Sequence, residues 1–202
     1  MQISIFTQII FYITILFSEK NQKIDEIIIV TRNDYINFCK NLVNKNCLKK
    51  VTKIIEGGKT RQESSYNAIF AIDGNDTDNV LIHDAVRPFI TDEIINNCIS
   101  ALDKYSAVDV AIESADTIIQ VDEQNIIKDI PKRKFLRRGQ TPQAFKFGII
   151  NEAHKLANDS SATDDCSLVM KMLIQVKLIP GSKKLAKLTT IEDVNYLETY
   201  LK

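Results

Sequence analysis

A chain of 202 residues with 45% hydrophobic and 26% charged side chains is long enough to bury a core of its own, and this composition excludes disorder and collagen-like structure. Lys plus Arg and Asp plus Glu each number 26, so the formal charge is zero. A surface that holds long nucleic acid by its phosphates needs a basic excess; only a local pocket for a small phosphate stays open. The cysteines, Cys39, Cys47, Cys98 and Cys166, form no CxxC pair, which points to core positions in a reducing, cytoplasmic protein rather than to a zinc or redox motif.

Met1 to Ser18 is apolar and carries no charged side chain. It lacks the basic start and small-residue cleavage site of a signal peptide, and it is short for a membrane span. A buried helix of a soluble fold is expected, with a membrane anchor as the alternative. Glu26 to Thr31 is rich in β-branched residues and reads as a buried strand; Asn33 to Asn44 has helical spacing; Val51 to Glu56 is a second strand. Thr60-Arg-Gln-Glu63 is a capping box that opens a helix to about Ile72. Asn79 to His83 predicts a third strand, Thr91 to Tyr105 a helix and Ala107 to Glu113 a fourth strand. Residues 116–139 alternate apolar and polar around a polar turn, a poorly buried hairpin. Helices are expected over Phe145 to Ala157 and Asp164 to Ile174, strands over Val176 to Ile179 and Leu185 to Thr189, and a last helix after Thr190 to Asp193. Strand–helix alternation predicts one domain over residues 1–202, a three-layer α/β/α sandwich with a mostly parallel sheet.

Ligands of open α/β sheets bind at the carboxyl ends of the strands. Several segments are candidates, among them Gln140-Thr141-Pro142-Gln143 after the hairpin. Gly57-Gly58 before a capped helix can meet an anion or nucleotide, or can be an ordinary turn. In His83-Asp84-Ala85-Val86-Arg87-Pro88, Asp84 can hold a divalent cation and Arg87 clamp a phosphate; a simple Asp–Arg loop pair is the alternative. Thr163-Asp164-Asp165 either caps a helix or serves a site, and Lys187 either reaches a phosphate or stays solvated. His83 and His154 are the only histidines and lie far apart, so His83 reads as a hydrogen-bonded core residue rather than a metal ligand.

Six segments occur in order: Gly57-Gly58-x-x-Arg61-x-x-Ser64, Val80 to Phe89 with His83-Asp-Ala-Val-Arg-Pro88, Asp116-Thr117, Gly139-Gln-Thr-Pro-Gln143, Thr163-Asp-Asp165, and Lys187-Leu-Thr-Thr190-x-Glu-Asp193. Together, over about residue 9 to the end, they resemble the polyol-phosphate cytidylyltransferases, the D-ribitol-5-phosphate and 2-C-methyl-D-erythritol 4-phosphate enzymes. The resemblance implies a Rossmann-like, nucleotide-diphospho-sugar-transferase-like fold with a protruding β-arm at about 116–139 that joins a homodimer. It implies transfer of CMP from CTP to a polyol phosphate with Mg²⁺. Gly58, Arg61, Ser64 and Ala85 would then lie on the nucleotide side. Asp84 would hold the cation, and Arg87 and Lys187 would meet phosphates. Thr117, Thr141 and the partner subunit's Arg133 would line the polyol-phosphate pocket. No nucleic acid and no membrane enter that scheme.

The Ala-Val-Arg order after Asp84, Ala107-Val-Asp109 and Ile130-Pro131-x-Arg133 resemble the ribitol branch, whereas Thr163-Asp-Asp-Cys-Ser-Leu168 resembles the methylerythritol branch of isoprenoid biosynthesis. The family's opening strand and glycine-rich triphosphate loop have no counterpart in this sequence. The chain is therefore expected to be a truncated or degenerate homologue with little activity as it stands, or a binding and dimerisation module only.

Overall fold

A computed structural model describes residues 5–158, 161–190 and 193, with side chains described from residue 11 on. Helix α1 (Ile5–Lys20) packs one face on a small parallel ladder of β1 (Ile27–Thr31) and β2 (Val51–Glu56), with α2 (Ile36–Lys45) beside it. Ile15, Ile29, Cys39 and Leu48 form the buried centre of this unit. Two polar ties fix α1. The Glu19 carboxylate accepts from the Lys49 and Lys50 amides, and the Thr14 hydroxyl donates to the Ala85 carbonyl at 2.8 Å. The run is thus a half-buried helix, and no described helix is long and apolar enough to cross a membrane.

Helix α3 (Arg61–Phe70) starts where the capping box places it: the Thr60 hydroxyl accepts from the Glu63 amide. The Glu63 carboxylate closes on the Lys59 amide, one residue before the cap. The main sheet holds β3 (Asn79–Ile82), β4 (Ala107–Glu113), β7 (Arg137–Gly139), β8 (Gln143–Lys146) and β9 (Lys177–Pro180). β3, β4 and β9 run one way, and β7 and β8 run against them. The alternation of strands and helices anticipated the parallel members. The two opposed strands fall in a stretch, 137–146, that the sequence reads as the end of the arm, a loop and a helix start.

One segment does two jobs here. Its residues 137–139 pair with 111–113 of β4 and its residues 144–145 pair with 107–108. Between them the residue pairing lapses, although the Gln140 amide still donates to the Val110 carbonyl at 2.7 Å, and the Thr141–Pro142 peptide is cis. This break leaves the side chains of Gln140 and Thr141 to other partners.

Helix α4 (Asp92–Ala101) covers one face of the sheet through Ile94, Ile95 and Cys98 against Val108, Val110 and Ala144. Helices α3, α5 (Phe147–Lys155) and α6 (Asp165–Lys171) cover the other through Ile69, Ile150 and Leu168 against Ala107 and Phe145. The alternation of Ala107, Val108 and Val110 between two cores is the signature of a sheet buried on both faces. Before β7 the arm carries β5 (Gln120–Val121), β6 (Ile127–Asp129) and a single 3-10 turn at Arg133–Phe135, and no described α-helix covers it.

Two expectations need correction. Leu185 to Thr189 forms no strand: it is a loop tied to the rest by the Leu188 amide on the Val86 carbonyl and by contacts to the Leu185 carbonyl. The helix expected from Phe145 begins at Phe147, because Phe145 is fully buried as a strand residue facing α3. The final helix after Thr190 lies outside the described residues; the Asp193 carboxylate accepts from the Thr189 and Thr190 amides.

Candidate active site

The turn after β3 is locked by a directional chain of hydrogen bonds. The His83 Nε2 lies 3.0 Å from the Arg87 carbonyl, which can only accept, so Nε2 carries the proton. Nδ1 is then an acceptor for the Thr141 hydroxyl at 2.9 Å, and the same hydroxyl accepts from the Asp84 amide at 3.0 Å. Burial pushes the imidazole down to about 4, so this neutral tautomer persists across the physiological range. Thr141, at the break in 140–142, therefore holds the turn that carries Asp84 and Arg87.

Asp84 Oδ2 lies 3.2 Å from Arg87 Nε and 3.3 Å from Lys187 Nζ. Burial alone would raise this carboxyl; the charges of Lys187 and Arg87, with a further contribution from Arg61, hold it below the ordinary range instead. Lys187 reaches the turn because its loop is pinned from two sides. Arg87 Nη1 and Gln140 Nε2 both donate to the Leu185 carbonyl, at 2.8 and 3.1 Å. Gln140 also bonds both the amide and the carbonyl of Ser182, and a Cβ on Gly181 would sit 2.1 Å from its Oε1. A side chain at 181 would push Gln140 off these bonds.

The loop before α3 contributes the third side. The Ser64 hydroxyl accepts from the Gly58 amide and donates to the Thr60 carbonyl, folding Gly57 to Thr60 over the helix start. A Cβ on Gly58 would collide with Glu63 Cβ at 2.1 Å, so the second glycine is obligatory. Arg61, the first residue of α3, donates from Nη1 to Asp165 Oδ2 at 2.7 Å. Asp165 is fully buried and also meets Ser65 and His154 Nε2. Burial would raise its carboxyl, but the hydrogen bond from His154 and then the Arg61 charge bring it below the ordinary range. One carboxylate thus faces an open cation pair, and another anchors an arginine from inside.

The profile of the 2-C-methyl-D-erythritol 4-phosphate cytidylyltransferase family, IspD, matches residues 2–202. This chain belongs to that family. It is 44% identical over 188 residues to the bifunctional ribulose 5-phosphate reductase/CDP-ribitol pyrophosphorylase Bcs1 of Haemophilus influenzae, over 90% of this chain and 40% of that longer protein. It is 39% identical over 193 residues to the 2-C-methyl-D-erythritol 4-phosphate cytidylyltransferase of Fusobacterium nucleatum, over 94% of this chain and 83% of that protein. The crystal structure of 4-diphosphocytidyl-2C-methyl-D-erythritol synthase from Anaerococcus prevotii matches at 32% identity with a TM-score of 0.85, over 95% of this chain and 85% of that one.

As a cytidylyltransferase family member, the chain is a nucleotidyltransferase. Of the expected site residues, the structure brings together Asp84, Arg87, Thr141 and Lys187 by direct contact, and places Arg61 close enough for its charge to act on Asp84. Gly58 and Ser64 belong to the loop that starts α3, and Ala85 is exposed on the Asp84 turn. Thr117 and Arg133 are not joined to this cluster by any contact among the described residues. Thr117 is exposed on the arm, and Arg133 donates to the Ala115 carbonyl at the arm's base.

The sequence alone assigns no working part to Gln140, Gln143 or His154 and leaves Asp165 as either a cap or a site residue. Gln140, Gln143 and Asp165 all lie within quoted motifs. For the acidic pair, a signal existed in the doubled aspartate: Asp164 caps α6 through the Ser167 amide, which leaves Asp165 free to turn inward. Nothing in the sequence pairs it with His154.

No group of three or more metal-ligating side chains occurs among the described residues. Mg²⁺ in phosphoryl-transfer sites is commonly held by one or two carboxylates plus substrate phosphates, and Asp84, whose Oδ1 has no hydrogen-bond partner among the described residues, fits that limited role.

Proposed function

We propose that this cytidylyltransferase transfers CMP from CTP to D-ribitol 5-phosphate, giving CDP-ribitol and pyrophosphate. What supports the reading most is the Asp84–Arg87–Lys187 cluster at the carboxyl end of β3, two cations around one carboxylate. A phosphate oxygen of the polyol phosphate attacks the α-phosphorus of CTP in line, the bond to the β-phosphate oxygen breaks, and pyrophosphate leaves. Such chemistry is positioning and charge neutralisation. Lys187 and Arg87 neutralise the reacting phosphates. Asp84 would hold Mg²⁺, which supplies further neutralisation between nucleotide phosphates. Gly58, Arg61, Ser64 and Ala85 bound the nucleotide, and Thr141 bounds the polyol phosphate.

Ribitol 5-phosphate is favoured by the Ala85-Val86-Arg87 signature and by the 44% identity to a protein named as a CDP-ribitol pyrophosphorylase. The family profile and the Fusobacterium relative favour 2-C-methyl-D-erythritol 4-phosphate as the second reading. The test is the ratio of kcat/KM for the two polyol phosphates with CTP and Mg²⁺. A missing methyl is worth only about 1–3 kcal/mol in such a pocket, so ribitol 5-phosphate should lead with residual activity on the branched substrate. A ratio favouring methylerythritol 4-phosphate reverses the assignment. Intact CTP binding with no turnover on either substrate would make the chain a binding module.

The proposal extends to a homodimer through the arm. Ile118, Ile119, Val121, Ile126, Ile127 and Ile130 are each between 44% and 57% exposed there, an apolar surface that a monomer leaves in water. Since Thr117 and Arg133 do not meet the Asp84 cluster of their own chain, they would complete the pocket of a second copy. Sedimentation should give a dimer that dissociates when residues 118–130 are replaced by a short polar turn. A monomer at high concentration would overturn this.

A further inference from the structure

Arg61 stands in an awkward place. It is the first residue of α3, where the helix dipole is positive and a cation is disfavoured by a few tenths of a kcal/mol to about 1 kcal/mol. Its side chain is 32% exposed, while that of Asp165, its partner 104 residues away, is 1% exposed. Buried ion pairs are weak devices for stability, and an apolar pair of similar volume would hold α3 to α6 as well. A device that keeps one guanidinium in one place is what remains to explain.

The surrounding bonds suit that purpose. Asp165 Oδ2 takes Arg61 Nη1 and, at 3.3 Å, the Ser65 hydroxyl one turn along α3. Oδ1 takes His154 Nε2 from α5 at 3.0 Å, and the Asp165 amide donates to Gln143 Oε1 on β8 at 3.0 Å. Gln143 in turn donates to Asp109 on β4. The Asp165 backbone is therefore tied to β8, and through Gln143 to β4, while its carboxylate is held from α5 before it meets the arginine. His154 Nδ1 is buried and has no hydrogen-bond partner, so the imidazole spends its one polar contact on Asp165. Arg61 Nε and Nη2 make no hydrogen bond among the described residues, which leaves them for a ligand.

We propose that Asp165, backed by His154, is a positioning residue that holds the Arg61 guanidinium in place for the nucleotide. This rests on the cytidylyltransferase reading only for what Arg61 binds. A double-mutant cycle separates positioning from bracing. Mg²⁺–CTP affinity of the chain is measured by calorimetry for the wild type, Arg61→Ala, Asp165→Asn and the double variant. Loss of a bond to a charged group predicts that Asp165→Asn weakens binding about tenfold, and that it adds nothing once Arg61 is alanine. His154→Gln, which can keep a donor toward Asp165, should restore most of the affinity that His154→Phe loses. Full additivity of the two single losses, or unchanged CTP affinity in Asp165→Asn, overturns the proposal.

A second measurement does not need CTP. The ¹⁵Nε order parameter of Arg61 should drop in Asp165→Asn to the level of a freely mobile arginine. An Arg61 equally ordered in both proteins overturns the proposal whatever binds there. A wild type that fails to bind CTP, with Arg61 still ordered by Asp165, refutes the functional reading and leaves the positioning role standing.

Discussion

The two aspartate–arginine pairs of this site have the same chemistry and opposite surroundings. Asp84 and Arg87 sit three residues apart on one turn, 17% and 11% exposed, with the 47% exposed Lys187 as a second cation. Asp165 and Arg61 come from distant helices; the acid is enclosed and shares its charge with a buried histidine, and only the arginine reaches the surface. The first pair has cation to spare and an open carboxylate oxygen, so it can still take an anion and a metal. The second has its acid saturated, so it can only direct what Arg61 does. Excess charge at the mouth and balanced charge behind it is how a phosphate site can be both attractive and rigid.

Paired substitutions should break this contrast in opposite ways. Asp84→Asn keeps the shape of the turn and should cost at least about two orders of magnitude in turnover, since charge placement carries most of a phosphoryl-transfer barrier. Its effect on folding should be about 1–2 kcal/mol, because Asn keeps the shape of the turn and one of the two cations it leaves, Lys187, is 47% exposed. Asp165→Ala should do the reverse in magnitude: it leaves Arg61 and His154 without their partner and should cost about 3–5 kcal/mol of stability. Rate assays and denaturant midpoints on the two proteins decide it. Near-normal turnover of Asp84→Asn would reduce that residue to a brace for the Arg87 loop, and a marginal stability loss in Asp165→Ala would mean that water reaches the inner pair.

How far each pair could be read from the sequence follows from the same difference. Asp84 and Arg87 are close in sequence and follow a strand, so a local rule about strand ends finds them, as the capping box finds the start of α3. Lys187 is legible from its local setting only as either a phosphate contact or a solvated cation, and the ordered set of motifs favours the first; its loop sends Leu185 and Leu188 into separate buried clusters, which local sequence does not distinguish from a short strand. The inner pair joins residues 104 positions apart, and His154 looks like any helix residue. The break at 140–142, which supplies both Thr141 and Gln140, depends on two antiparallel strands that strand–helix alternation does not announce.

The smallest effect lies behind the inner pair, at Asp109. Its carboxyl accepts from Gln143 and faces the charges of Asp164 and Arg61 from neighbouring elements; burial pushes it up to about 6, against an ordinary value of 3.8. A raised carboxyl means that the folded protein holds this proton more tightly than the unfolded chain does. Asp109 therefore favours folding progressively as pH falls from about 6 toward 4, and opposes it above. His83 acts in the opposite sense: its pKa is lowered from 6.5 to about 4, so the stability it contributes is present above pH 6.5 and is lost as pH falls through that window. In the wild type these slopes offset each other. Asp109→Asn should remove one of them, gaining stability near pH 7.5 and losing it more steeply than the wild type on acidification to pH 4.5. Discounted for the part of the carboxyl that remains in water, the difference between the two proteins should change by about 1–2 kcal/mol across that range. Urea unfolding at the two pH values measures it. Parallel pH dependence in both proteins would mean that Asp109 is ionised in the fold much as it is in water, and that Gln143 and Arg61 stabilise its charge more than burial penalises it.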